Sequence, residues 1–155
     1  MGDTAEVNMV KPSNKIVVDS TNIHIQTKKV ETVAFVYPGR LVIQGTNDDD
    51  IAVCGSGGKA IGWAGYEHTA KKYRPATVDT IYVVNDQIAV VNGPGILIVG
   101  NLTKGQNVDK GTRLMADASG NLSGGTVGTH EIVAIAEQSV DATSADADII
   151  VRSLI

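Results

Sequence analysis

The sequence predicts an all-β protein: a compact, barrel- or sandwich-like domain with irregular glycine-rich loops and at most one short helix. The first observation is composition, because Val, Ile and Thr contribute 20, 15 and 13 of the 155 residues whereas Leu contributes only 6. β-Branched side chains lose rotamer freedom against the preceding turn of a helix and fit a pleated sheet. The second observation is pattern. Short apolar runs alternate with turns that draw on the 17 glycines, as in strands joined by tight turns.

Short apolar runs mark the predicted strands, and residues 80–99 hold the clearest of them. Three runs at 81–84, 88–91 and 96–99 are separated by short turns rich in Asn and Gly, which predicts a β-meander. Because these runs are continuously apolar, we expect a second sheet or another subunit to cover both faces. The other predicted strands are residues 16–18, 23–25, 30–36, 40–44, 51–54, 60–64, 111–115, 131–136 and 145–155.

Two segments depart from the strand pattern. Residues 66–74 favour the one short helix, which Pro75 would end. Residues 1–29 begin with 15 mostly polar residues and continue with two short β-type runs. We expect residues 1–29 to form an extended N-terminal arm without a core of its own, followed by a β-rich domain over residues 30–155.

A faint repeat of 72 residues runs through the predicted domain. Gly39 and Gly111 are separated by this interval, and so are residues 61–64 and 133–136. Between each pair the order of apolar runs, polar turns and glycine-rich loops is the same. Two explanations remain open: a duplication that gives two related β subdomains, about 30–75 and 100–155, around the 80–99 meander, or the ordinary recurrence of such turns in antiparallel β proteins.

Charge, hydropathy and cysteine content exclude several functional classes. The net charge is −4 and no basic block is present, so we expect no direct contact with nucleic acid. No apolar run approaches the roughly 20 residues of a membrane helix, and the first 30 residues lack a secretory signal, so we expect no membrane partner. A single cysteine, Cys54, cannot form an internal disulfide, which suits synthesis in a reducing cytoplasm.

The sequence offers no grouping that indicates catalysis, a cofactor or a metal. Residues 55–59 resemble a phosphate loop, but Val53 stands where the first glycine belongs and Ala60 where Ser or Thr would hold magnesium. Asp48, Asp49 and Asp50 are consecutive, and side chains on an extended chain alternate in direction, so a solvated hairpin tip is the better interpretation. The three histidines are scattered. We therefore predict that the protein is not an enzyme.

The C-terminal half carries a recognisable order of segments. Residues 105–114 enter an Asp/Gly turn, residues 118–122 form a second turn and short strand, residues 132–137 read Ile-Val-Ala-Ile-Ala-Glu, and residues 145–152 give an acidic-alanine loop and a final Val-Arg strand. This order resembles the head decoration (capsid cement) proteins of tailed phages and related viruses. Residues 39–64 look like an earlier pass through the same pattern, so the resemblance covers residues 30–155.

The resemblance implies a structural function. Proteins of that family are β-barrel-like homotrimers that bind the outer surface of the capsid and stabilise contacts between major capsid proteins. The implied partners are the major capsid protein and further copies of the chain, and the implied location is the virion, after synthesis in the host cytoplasm. An extended arm that adds a strand to a sheet edge on the shell would give such binding its main-chain hydrogen bonds.

The arm hypothesis names candidate partner contacts, and one alternative function stays open. The strand-adding residues would be Ile16, Val17, Val18, Ile23 and Ile25. Trp63 either packs in the core or contacts a partner, because interfaces concentrate binding energy on Trp. The alternative is a carbohydrate- or receptor-binding β module on the virion surface. It requires exposed aromatic side chains, and the chain has only six aromatic residues.

Overall fold

The computed structural model describes residues 16–19, 22–31 and 36–155, and these residues form an almost purely β structure. The all-β prediction is confirmed, with thirteen strands and one short 3-10 turn, Ala118–Gly120, among the described residues. The strands are β1 (Val17–Asp19), β2 (His24–Val30), β3 (Leu41–Gln44), β4 (Asp50–Val53), β5 (Gly62–Ala64), β6 (Gln87–Asn92), β7 (Leu97–Leu102), β8 (Gln106–Val108), β9 (Arg113–Ala116), β10 (Leu122–Gly124), β11 (Ile132–Ala136), β12 (Val140–Ala142) and β13 (Ala147–Ser153).

Strands β2 to β6 close into a first barrel. The order around it is β2-β4-β3-β5-β6, and β6 returns to β2. Only the β2–β4 pair is parallel, and the other four pairs are antiparallel. Because successive side chains of a strand point to opposite faces, every second residue faces the interior. The core of this barrel is formed by Val30, Val36, Val42, Ile51, Ala64, Tyr82, Ile88 and Val90.

Strands β7, β10, β9, β11 and β13 form a second ring. The five strands pair in that order, and an additional β7–β13 pairing closes the ring. Here too one pair, β7–β10, is parallel and the rest are antiparallel. Strand β1 adds to β7 from outside, and β8 pairs with β12 in a separate two-stranded sheet.

The two barrels have the same topology and nearly the same register. Leu41 pairs with Trp63 and Val42 with Gly62, while 72 residues later Arg113 pairs with Ile135 and Leu114 with Ala134. In the same way, the β2–β6 pairs from Ile25↔Val91 to Lys29↔Gln87 correspond one by one to the β7–β13 pairs from Leu97↔Arg152 to Asn101↔Asp148. Only β4 and β10 are offset by one residue from this rule. The repeat in the sequence therefore corresponds to two copies of one strand arrangement.

The predicted β-meander over residues 80–99 is wrong. Residues 81–84 form no strand, and β6 and β7 pair in different barrels although they are neighbours in the chain. Tyr82 explains the first departure, because its side chain is buried in the first barrel. Its hydroxyl donates to the Gly65 carbonyl and is 2.9 Å from the Thr69 hydroxyl. The apolar character of residues 81–84 thus comes from plugging the barrel.

The helix predicted over residues 66–74 is also absent. The segment forms consecutive turns, with Thr69 N–H donating to the Tyr66 carbonyl and Tyr73 N–H to the Ala70 carbonyl. The Arg74 guanidinium donates to the carbonyls of Glu67 and Thr69 at 2.7 and 3.1 Å. A side chain therefore satisfies carbonyl groups that a helix would have satisfied with backbone N–H groups.

The two barrels are joined by a shared apolar seam centred on Trp63. Leu41 and Trp63 belong to the first barrel, yet both are fully buried in the cluster that contains the core of the second. The indole N–H donates to the Ser153 hydroxyl at 3.0 Å, and Gly120 N–H donates to the Cys54 carbonyl at 2.7 Å. These contacts bridge residues far apart in sequence, so they fix the second barrel relative to the first.

Gly100 provides the space that the Trp63 ring occupies. A Cβ atom at this position would lie 2.8 Å from Leu122 Cδ1 and 3.4 Å from Trp63 Cζ3. We expect Gly100→Ala to destabilise the fold by about 1–3 kcal/mol, because neither buried neighbour can yield without strain. Urea unfolding measures the change. Gly55→Ala is the matched control, since its Cβ would meet nothing within 4 Å, and a loss there as large as at position 100 would contradict the packing explanation.

Tyr82 makes stability sensitive to alkaline pH. Burial raises the pKa of Tyr82 to about 12, although the hydrogen bond from Thr69 opposes this shift. The unfolded chain ionises near pH 10, so the stability that the neutral phenol contributes is complete below pH 10 and is lost as pH rises towards 12. We expect unfolding free energy to fall by about 2 kcal/mol over this interval. Denaturant unfolding at several pH values measures it, and a Tyr82→Phe variant with an unchanged slope would contradict the assignment.

Candidate interaction surface

Three of the predicted contact residues serve the fold itself. Ile16 is 5% exposed and packs in the larger apolar cluster, and Val17 packs against the same cluster. Trp63 is fully buried. The structure thus brings Ile16, Val17 and Trp63 together in one interior cluster. Their contacts within the chain account for their apolar character.

The other three predicted contact residues are more accessible. Val18 and Ile23 are half-buried, and Ile25 in β2 is 41% exposed. Ile25 is therefore the one member of the predicted set that presents a substantial apolar surface. Its role as a partner contact stays a prediction.

The predicted arm, residues 1–29, divides into two parts. Residues 1–15 lie outside the described residues. Strand β1 pairs with β7, through Val17↔Ile98 and a hydrogen bond from Val99 N–H to the Ile16 carbonyl at 2.7 Å. Strand β2, which follows, is part of the first barrel. Residues 16–19 and 22–29 are thus integrated into the fold, and any free arm is limited to residues 1–15.

A glycine allows β1 to dock on β7. Gly39 has a φ of +80°, and a Cβ atom there would lie 2.5 Å from the Val99 carbonyl oxygen and 3.5 Å from the Ile16 side chain. Only glycine combines this left-handed conformation with so close an approach. The predicted turn at residues 37–39 therefore also receives the N-terminal edge strand.

Two exposed apolar side chains were missed by sequence reasoning. Val83 is 65% exposed in the connection between the strands of the first barrel, and Val127 is 70% exposed in a glycine-rich turn where Thr126 N–H donates to His130 Nδ1 at 2.9 Å. The sequence placed Val83 inside a strand, which hid its exposure. Val127 stands between Gly125 and Gly128, and an apolar residue in a turn was the available signal.

Charged residues cluster beside β2. Lys29 Nζ lies 3.5 Å from Asp50 Oδ1, and Asn47 donates to Asp50 Oδ2 at 2.7 Å. The hydrogen bond from Asn47, followed by the charge of Lys29, lowers the pKa of Asp50. Lys28 Nζ donates to the Asp48 carbonyl at 2.5 Å. A cavity of about 320 Å³ opens here, lined by Thr27, Lys28, Lys29, Asp49 and Gln87.

The second barrel presents a charged face where the first barrel has an apolar one. Arg113 and Arg152 occupy the positions equivalent to Leu41 and Val91, and both arginines are exposed. Arg152 Nε lies 3.4 Å from Glu137 Oε1. The face that packs against the second barrel in the first copy of the repeat is thus turned to solvent in the second.

The described residues show no concentration of chemical groups. Residues 16–19, 22–31 and 36–155 contain no cluster of three or more His, Cys, Asp or Glu side chains placed to hold a metal ion. Cys54 is buried, and burial raises the pKa of its thiol, which disfavours the reactive thiolate. Across the same described ranges, no helix has the length and apolar character needed to span a membrane.

Aromatic side chains are also withdrawn from the described surface. Trp63, Tyr66 and Tyr82 are buried, and Tyr37 and Tyr73 are half-buried. Phe35 lies outside the described residues. The described part of the chain therefore does not present the exposed aromatic platform that the carbohydrate-binding alternative requires.

Comparison with known proteins finds similarity at the level of structure. No family model matches the sequence, and no curated protein matches it. A chain from the capsid of Myoviridae phage XM1 is similar to this chain with a TM-score of 0.56 and 13% identity, covering 92% of this chain and 91% of that one. The N base of head fiber gp8.5 of bacteriophage phi29 gives a TM-score of 0.49 with 14% identity over 84% and 93% of the two chains.

The XM1 comparison bears on both the fold and the resemblance seen in the sequence. Its coverage includes both barrels, so the tandem arrangement is common to the two chains. The predicted resemblance to phage head proteins is thus confirmed as a likeness of fold.

The Trp63–Ser153 pair can be tested as a structural contact. Ser153→Ala would leave a buried indole N–H without its acceptor, so we expect a loss of about 1–3 kcal/mol. Trp63→Phe removes the donor and some packing, and the double variant should show a coupling energy of about 0.5–3 kcal/mol. Thermal and urea unfolding of all four proteins measure it. Strict additivity would show that the hydrogen bond contributes nothing to the seam.

Proposed function

We propose that the chain is a structural protein of a phage head, a decoration protein that binds the outer surface of the capsid. The observation that carries this proposal is the similarity of fold to a chain of the XM1 phage capsid over 92% of the sequence. The segment order that resembles cement proteins supports it independently. The major capsid protein is the proposed partner.

The proposed mechanism is stabilisation by contact area. Two barrels locked through the Trp63 seam make a rigid body, so capsid binding need not pay for ordering one barrel relative to the other. A homotrimer would present three copies of each contact, and linked contacts raise overall affinity by about 10²–10⁴ over one contact. Held at the junction of neighbouring capsid proteins, such a trimer would resist their separation. Of the predicted contacts, Val18, Ile23 and Ile25 remain candidates for the partner surface.

The capsid proposal predicts binding, oligomeric state and stabilisation together. We expect the purified protein to sediment with about three times its chain mass of 16.2 kDa, and to co-sediment in a saturable manner with undecorated capsids of the phage that encodes it. Decorated capsids should release their DNA at a higher temperature than bare ones, because binding to the intact shell stabilises it by mass action.

The control is an unrelated capsid of similar size, which should bind no protein. A folded protein that fails to bind its own capsid, or that binds glycans on an array at similar concentrations, would contradict the proposal and favour the alternative of a carbohydrate-binding module.

A further inference from the structure

The internal repeat reveals a sheet edge that is covered in one barrel and uncovered in the other. Strands β2 and β7 are equivalent, since Ile25 to Lys29 take the same pairing positions as Leu97 to Asn101. Strand β1 covers the outer edge of β7. On β2, β4 pairs only at Lys29 and Val30, and no other strand of the described residues pairs with the edge before them.

Backbone direction shows that this edge offers hydrogen bonds. Lys29 N–H donates to the Asp49 carbonyl and Glu31 N–H to the Ile51 carbonyl, so odd-numbered residues of this strand direct their N–H groups away from β6. By the alternation of a strand, Ile25 and Thr27 direct theirs the same way, beyond the end of β4. Val99, the equivalent of Thr27, donates to the Ile16 carbonyl of β1. The structure thus contains a worked example of how such an edge is filled.

We infer that the β2 edge accepts residues 7–10 of a second copy of this chain as an added antiparallel strand. In this arrangement Thr27 N–H donates to a carbonyl of the incoming segment, as Val99 N–H donates to Ile16. The incoming strand also covers the exposed side chain of Ile25. Main-chain hydrogen bonds hold it, and the alternation of its side chains sets the register.

The sequence of the N-terminal segment fits this edge. Residues 7–10 read Val-Asn-Met-Val, a short run with apolar side chains suited to a strand, and Pro12 follows them. Asp3 and Glu6 precede the run, and no Lys or Arg occurs before Lys11. In an antiparallel addition these two acidic residues lie beside Lys28 and Lys29, at the cavity of about 320 Å³. The cavity wall also contains Asp49, so the two lysines are what attract the acidic segment.

A second copy is the favoured source of the strand. Ile16 is fixed on the second barrel by its core contacts and its hydrogen bond to Val99, whereas the open edge belongs to the first barrel. A contact between the N-terminus of one copy and β2 of the next is head-to-tail, and such contacts close into a ring when the rotation allows it. This assembly step rests on the proposed homotrimer, and it supplies the contact that would hold one together.

Cysteine cross-linking of the full-length protein tests the contact without any capsid. One chain carries Gln26→Cys and a co-expressed chain with a distinct tag carries a cysteine at one of positions 7 to 10. We expect mild oxidation to link the two tags at least tenfold more than in a control pair in which the second cysteine is Lys104→Cys, on an exposed turn. Native Cys54 is buried and contributes no background.

A second variant keeps the proposal falsifiable if the cysteines perturb the edge. Thr27→Pro removes an outward N–H, leaves the N–H groups that face β6 in place, and is expected to convert the oligomer into monomers and abolish the cross-link. Thr27→Val keeps the N–H and should leave both unchanged.

Three results would overturn the inference: a disulfide that forms only when both cysteines are in one chain, a cross-link that appears only when capsids are present, or an oligomer that Thr27→Pro does not weaken. Because the assay uses the protein alone, capsid binding that survives any of these results would leave the proposed function standing.

Discussion

The burial of Trp63 between two barrels is the constraint on which the rest of the structure depends. Its indole is fully enclosed, its N–H is satisfied by Ser153 ninety residues later, and Gly100 leaves space for the ring. An indole that left this seam would expose a large apolar area and orphan its partner hydroxyl. The seam therefore makes one rigid body of two small barrels.

Duplication explains both the regularity of the fold and its asymmetry. Two copies of the same five-stranded arrangement share their register almost residue for residue, yet they cannot be chemically identical because one packs on the other. Leu41 and Val91 are buried, whereas the equivalent Arg113 and Arg152 face solvent. Arginine at those positions prevents a further barrel from stacking by the same contact, so the tandem ends after two. Divergence between the copies has thus concentrated where their surroundings differ.

The sequence allowed the fold class to be predicted, and it carried the signal of the repeat, because composition and glycine spacing report local preferences. It did not allow strand partners to be predicted. Residues 88–91 and 96–99 are apolar, adjacent and separated by a turn, which is how a hairpin looks, but β6 and β7 close different barrels. Residues 81–84 misled in a similar way, since Tyr82 and its neighbours fill a barrel rather than pair. Ile16 and Trp63 were correctly singled out as apolar outliers, yet the sequence could not distinguish an internal partner from an external one.

The same comparison between the copies separates structural from functional surface. An uncovered strand edge offers unpaired N–H and carbonyl groups and invites unplanned association, so proteins normally cover or charge it. In the second barrel the chain spends its own β1 on this task. The equivalent edge in the first barrel has Lys28 and Lys29 at one end and the exposed Ile25 at the other. Lysines deter indiscriminate pairing but welcome an acidic strand. An edge guarded in this selective way is suited to one chosen partner, and that is what an assembly protein requires of its surface.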